Sequence, residues 1–163
     1  MTEHGRYIKG KRVSNQLKKQ TMGMAGEYYV TAELNRQGIH ASMTYGNAKK
    51  ADIVAYSPEQ KNCEVIEVKT TDKNKWVVGG KMPTKNDNIW VLVLLSGNKH
   101  PRYFIFTGEE LHKCLEPQDL EYRKKYLEKH GKEFDSKGVV SLKQELAIPF
   151  ENKWSKITDR FNT

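Results

Sequence analysis

Asp52 and the triplet Glu67-Val68-Lys69 place two carboxylates and one amine where the chain could do chemistry. Residues 51–56 and 63–69 are β-rich runs joined by a polar, proline-containing stretch at 57–62, a pattern that predicts a β-hairpin. With a period of two, Val65, Glu67 and Lys69 share one face of the second strand, and Glu64, Ile66 and Val68 share the other. The hairpin can bring Asp52 beside Glu67. Hard divalent cations such as magnesium take oxygen ligands, usually one or two carboxylates completed by water and phosphate oxygens. Asp52 and Glu67 offer two carboxylates, and the backbone carbonyl of Val68 lies between Glu67 and Lys69. An ion held there would acidify a bound water and stabilise charge building on a phosphorus centre. Lys69 would orient the attacking water or counter charge on the phosphate. The plainer alternative is that Glu67 and Lys69 form a same-face ion pair on a solvated strand, worth little.

The elements that must position these groups begin upstream. Residues 23–38 read as a helix, with a candidate cap at Thr21 and a glycine stop at Gly38. At about 100° per residue, Glu27 falls on the stripe of Val30 and Leu34, which should face the core. A carboxylate on an apolar stripe is costly to bury unless it is paired or faces a metal. Glu33 has Arg36 and Gln37 for company and reads as solvated.

Glu27 on a first helix, then Asp52, then Glu67-Val68-Lys69 on the third strand resembles the PD-(D/E)xK nuclease superfamily, and within it the archaeal-type Holliday junction resolvases and related small bacterial nucleases. The resemblance covers residues 22–110. Ala51 stands where the motif's name has a proline, a residue that contributes no ligand, and no helix with a glutamine or lysine follows Lys69 closely. The resemblance implies a restriction-endonuclease-like α/β fold: a central mixed β-sheet flanked by helices, in the order αβββ(β)ββα, with C-terminal helices. It implies a metal-dependent endonuclease that hydrolyses DNA phosphodiester bonds with Mg2+, for which Mn2+ would substitute. Asp52, Glu67 and Val68 would hold the metal, Lys69 would position or activate water, and Glu27 would complete the metal shell or order a water. The partner would be DNA, duplex or branched, and a homodimer is one arrangement for cutting both strands. Two alternatives keep the fold without the chemistry: a non-catalytic nucleic-acid-binding module, or a protein-interaction partner of a nuclease system.

Composition is consistent with an anionic partner. The 163 residues carry a net charge of +8, with a pI near 9.4, and a basic balance favours polyanions without specifying one. A chain of this length suggests one domain with a proper core. Residues 1–20 read as a basic, flexible arm, with Arg6, Lys9, Lys11, Arg12, Lys18 and Lys19 against Glu3, and residues 21–163 as a single nuclease-like domain. Cys63 and Cys114 make neither a disulfide framework nor a metal spacing, so each is expected to be a small core residue in a reducing compartment. The first residues lack an apolar signal region. The longest apolar run, 89–95, is too short to span a membrane. A soluble cytoplasmic protein is the expectation.

Four lysines near the acids are candidate nucleic-acid contacts. Lys49 and Lys50 lie just before Asp52, and Lys73 and Lys75 just after Lys69. Trp76 beside them could stack a base or, with Val77 and Val78, enter the core. Residues 39–44 read as the first strand, 89–95 as a central strand covered on both faces, and 102–106 as its returning neighbour. Thr107 and Glu110 match a capping box that opens a helix expected to end before Pro117. A separate charged helix is expected over 118–132, a loop with a short strand over 134–142, and a terminal helix over 150–157 packing through Phe150, Trp154 and Ile157.

Overall fold

The computed structural model describes residues 15–44, 51–57, 59, 61–97, 99–135 and 139–162. Helix α1 (Asn15–Arg36) leads into strands β1 (His40–Met43), β2 (Ile53–Ser57), β3 (Asn62–Thr71), β4 (Lys75–Gly79), β5 (Ile89–Leu94) and β6 (Arg102–Thr107), as the sequence order predicts. Helix α2 (Gly108–His130), strand β7 (Val140–Lys143), the single-turn helices α3 (Gln144–Ala147) and α4 (Ser155–Thr158), and two 3-10 turns complete the chain. The main sheet runs β1-β2-β3-β5-β6, and β4 and β7 form a separate two-stranded ribbon. β3 and β5 pair in parallel and the other neighbours are antiparallel, so the sheet is mixed.

β5 is buried along its whole length between β3 and β6, which is why its sequence is continuously apolar. One face of the sheet packs on α1 through Ile53, Ala55, Ile66 and Val68 against Val30 and Leu34. On the other face Trp90, Leu92, Phe104 and Phe106 pack on Leu111 and Leu115 of α2 and on Trp76 of the ribbon. α1 approaches β3 closely at Gly26, where an added Cβ would lie 1.8 Å from the Thr70 Oγ1. At the sheet's edge the Asn35 side chain bonds both backbone groups of Ala41, accepting from its N–H at 3.4 Å and donating to its carbonyl at 2.9 Å. That occupies part of an edge other chains could otherwise extend.

Several expectations are corrected. α1 starts at Asn15, and Thr21 lies inside it, its hydroxyl donating back to the Leu17 carbonyl at 2.9 Å. The helix does not end before Pro117: α2 runs through it to Gly131, which caps in the left-handed region at φ 65. Proline removes one helical donor and crowds the carbonyl four residues back. Pro117 and Lys113 are both exposed, so water can meet that freed carbonyl. Beyond it, Arg123–Asp119 (2.7 Å) and Lys125–Glu121 (2.5 Å) brace the exposed half.

The terminal helix is broken as well. Asn152 takes φ 54, and its N–H donates to the Tyr103 carbonyl at 2.9 Å, which leaves two short turns. Phe150, Trp154 and Ile157 still pack as expected, Phe150 stacking on Phe106 at 4.2 Å and Trp154 meeting Tyr103 edge-on at 5.1 Å. Cys63 is exposed and Cys114 half-buried, so neither is the core residue expected. Cys63, near the start of β3, points to the α2 side, but the core under α2 and the ribbon takes in β5 and β6 and none of the first half of β3. No described helix is long and apolar enough to cross a membrane.

Candidate active site

The hairpin register decides which side each acid takes. Ile53 lies opposite Ile66 and Val54 opposite Val65, so Asp52, one residue earlier, falls beside Glu67 on the same face. Across the parallel pair Glu67 neighbours Trp90 and Lys69 neighbours Leu92, which sets both side chains on the α2 side.

Asp52 is fixed by its backbone and its side chain. Its N–H donates to the Ile66 carbonyl at 3.1 Å, and its own carbonyl accepts from the Thr44 N–H at 3.0 Å. Its Oδ2 accepts from the Val68 N–H at 2.7 Å. A strand residue sends its N–H and C=O to the same edge, so the Val68 carbonyl also faces the Asp52 edge. The Lys69 Nζ lies 4.0 Å from the Asp52 Oδ2 and 4.0 Å from the Glu67 Oε2, with all three side chains about one-third exposed. The same ammonium sits 5.6 Å from the centroid of the Trp90 ring, whose face attracts a cation.

Glu27 reaches this group from α1. Burial pushes its pKa up, the Asp52 charge adds to that rise, and Lys69 opposes it. Burial also raises the pKa of Glu67, with Lys69 opposing and Asp52 reinforcing the rise. The acids therefore repel one another across a half-buried space in which, among the described residues, Lys69 is the amine that offsets them. A bound cation would relieve that field. Glu33 is spoken for elsewhere, bonded by Arg36 at 2.6 and 3.0 Å and by Gln37 at 2.8 Å.

Among the described residues no group of three or more His, Cys, Asp or Glu side chains could hold a metal ion by itself. The donor set is two carboxylates and a main-chain carbonyl, too few for a closed zinc or calcium cage. It suits magnesium, which keeps several waters and takes one or two protein carboxylates. The residues present therefore fit a hard divalent ion that keeps part of its water shell.

Of the candidate lysines, Lys73 is exposed in the turn after β3 and Lys75 is exposed at the start of β4, while Lys49 and Lys50 lie outside the described residues. Trp76 goes to the core, fully buried, its indole N–H donating to the Val93 carbonyl at 2.8 Å. The sequence reading missed Trp90 as the floor beneath Lys69, because it is hidden inside a continuous apolar run. It also missed the Val68 N–H that holds Asp52. A cleft of about 720 Å³ between the second half of α2 and the β4–β7 ribbon has none of Glu27, Asp52, Glu67 or Lys69 in its lining.

The mixed five-stranded sheet, with α1 against one face and α2 against the other, is the restriction-endonuclease-like fold. Hjc, a Holliday junction resolvase from the archaeal hyperthermophile Archaeoglobus fulgidus, has a solved structure similar to this chain, with a TM-score of 0.50 and 13% sequence identity over 84% of this chain and 95% of that one. No family model matches the sequence, and no curated protein matches it.

Proposed function

We propose that this chain is a divalent-metal-dependent nuclease that hydrolyses phosphodiester bonds in duplex or branched DNA. The observation that carries the reading is the Lys69 ammonium, 4.0 Å from a carboxylate oxygen of both Asp52 and Glu67. Asp52, Glu67 and the Val68 carbonyl would hold Mg2+, or Mn2+ in its place. When bound, such an ion supplies Lewis acidity and lowers the pKa of a coordinated water. The Val68 N–H fixes Asp52 so that one carboxylate edge faces the shared space. Lys69, beside the Trp90 ring, orients the attacking water and offsets charge on the phosphate. Glu27 orders a water at the α1 side of the site. Lys49, Lys50, Lys73 and Lys75 contact the backbone of the DNA. One such site per chain serves one strand, so cutting both strands of a duplex calls for a second copy.

The test is incubation of supercoiled plasmid and a four-way junction with the chain in magnesium or manganese, with EDTA as control. Cleavage should require the ion and fall by about 100-fold or more in Asp52→Asn, Glu67→Gln and Lys69→Ala. No cleavage by the native chain, or equal cleavage by all three variants, would reject the reading.

A further inference from the structure

The β4–β7 ribbon has one side in the core and one side open, whose Ser141 and Lys143 border the cleft beside the second half of α2. Trp76 and Leu142, directly opposite each other, are both fully buried. On the outer side Lys75 lies directly opposite Lys143, and both are exposed. Opposed residues of an antiparallel pair have Cβ atoms about 4.5–5.5 Å apart, and like charges there are destabilising. Among the described residues no carboxylate lies within ion-pair distance of Lys73, Lys75 or Lys143. Lys143 feels Glu121 of α2, but that carboxylate already holds Lys125 at 2.5 Å. Two opposed, uncompensated ammonium groups on a rigid ribbon are what an anion would settle.

The ribbon is rigidly placed with respect to the acids. Trp76 ties it to β5 through the Val93 carbonyl, and the Gln144 N–H donates to the Asn74 carbonyl at 2.8 Å, fixing the end of β7 to the turn before β4. Its core side packs on Leu92, the neighbour of Lys69, so it rises from the same face of the sheet as Glu67 and Lys69. Lys75 follows Lys69 by six positions, a span of at most about 20 Å. Single strands are held on exposed rings. This outer face carries only Val77 and Ser141 between its lysines, and its one ring, Trp76, is turned inward.

We infer that the outer face of the β4–β7 ribbon, through Lys75 and Lys143, docks the phosphate backbone of duplex DNA beside the acid site. It rests on the nuclease reading only in taking DNA as the polyanion, so its test contains no chemistry. Binding of a labelled 20-base-pair duplex is followed by anisotropy in EDTA across a salt series. Neutralising one phosphate contact shifts the slope of log K against log salt by about 0.9. The Lys75→Ala/Lys143→Ala variant should therefore lose about 1.8 of that slope and bind at least tenfold more weakly at low salt. Its Tm should match or exceed the native value, because a repulsion has been removed. Arg36→Ala, on the opposite side of the sheet, should leave the slope unchanged. An unchanged slope in the double variant, no duplex binding by the native chain, or an equal ribbon-dependent loss on a single strand would each overturn the inference. A chain that binds through the ribbon but does not cut would reject the nuclease reading alone.

Discussion

The two faces of the central sheet are finished differently. On one face α1 lies over β1, β2 and β3, Ile157 and Phe161 of the C-terminal turns join the same core, and Ile53, Ile66 and Val68 are sealed. On the other face α2 and the ribbon seal β5 and β6 but leave β2 and the first half of β3 open, so Tyr56 and Val65 remain about 40% exposed. Asp52, Glu67 and Lys69 stand at the boundary where that cover ends. Burial there is enough to raise the pKa of Glu67, while the three side chains stay about one-third exposed. The lesson is that residues of one strand can be core or chemistry according to what lies above them.

The comparison can be broken first on its sealed side. Trp76→Ala removes a fully buried ring and the indole bond to Val93, and should cost about 3–5 kcal/mol in denaturant unfolding. It should also loosen the ribbon and so weaken duplex binding. Gly26→Ala forces a methyl against Thr70 at the α1–β3 contact and should cost about 1–3 kcal/mol despite the gain in helix propensity.

The open side responds with the opposite sign. Glu27 and Glu67 have raised pKa values in the folded chain, so between the ordinary carboxylate range and those raised values the native state binds more protons than the unfolded state. Stability should then fall as pH rises through that window and recover on acidification. Glu67→Gln should remove the Glu67 share of this pH dependence and stabilise the chain by about 0.5–2 kcal/mol at neutral pH while removing activity. A Glu67→Gln chain less stable than the native one would contradict this account of the boundary. The smallest effect is expected at Thr70→Val. The Thr70 Oγ1 is buried with no described hydrogen-bond partner, so an isosteric apolar replacement should be within about 1 kcal/mol of neutral, on the stabilising side.

Much of this arrangement was legible in the sequence. The continuous apolar run of β5, the alternation of β3 and the Thr107–Glu110 capping box each state a local rule that the fold obeys. The pairing of Asp52 with Glu67 follows from the hairpin, because register carries facing with it. What was not legible depends on cover supplied from far along the chain. Cys63 looks like a core residue until α2 is seen to stop short of it. Pro117 looks like a stop until its neighbouring carbonyl proves open to water. The Lys75–Lys143 pair joins residues that only the β4–β7 register brings together.

The account's central claim is that Asp52 and Glu67 hold one hard divalent cation beside Lys69. Calorimetric titration of Mn2+ into the full chain tests it most directly. One ion per chain is predicted for the native protein and for Lys69→Ala, and loss of that binding in both Asp52→Asn and Glu67→Gln. Manganese that fails to bind, or that binds the two carboxylate variants as well as the native chain, would contradict it.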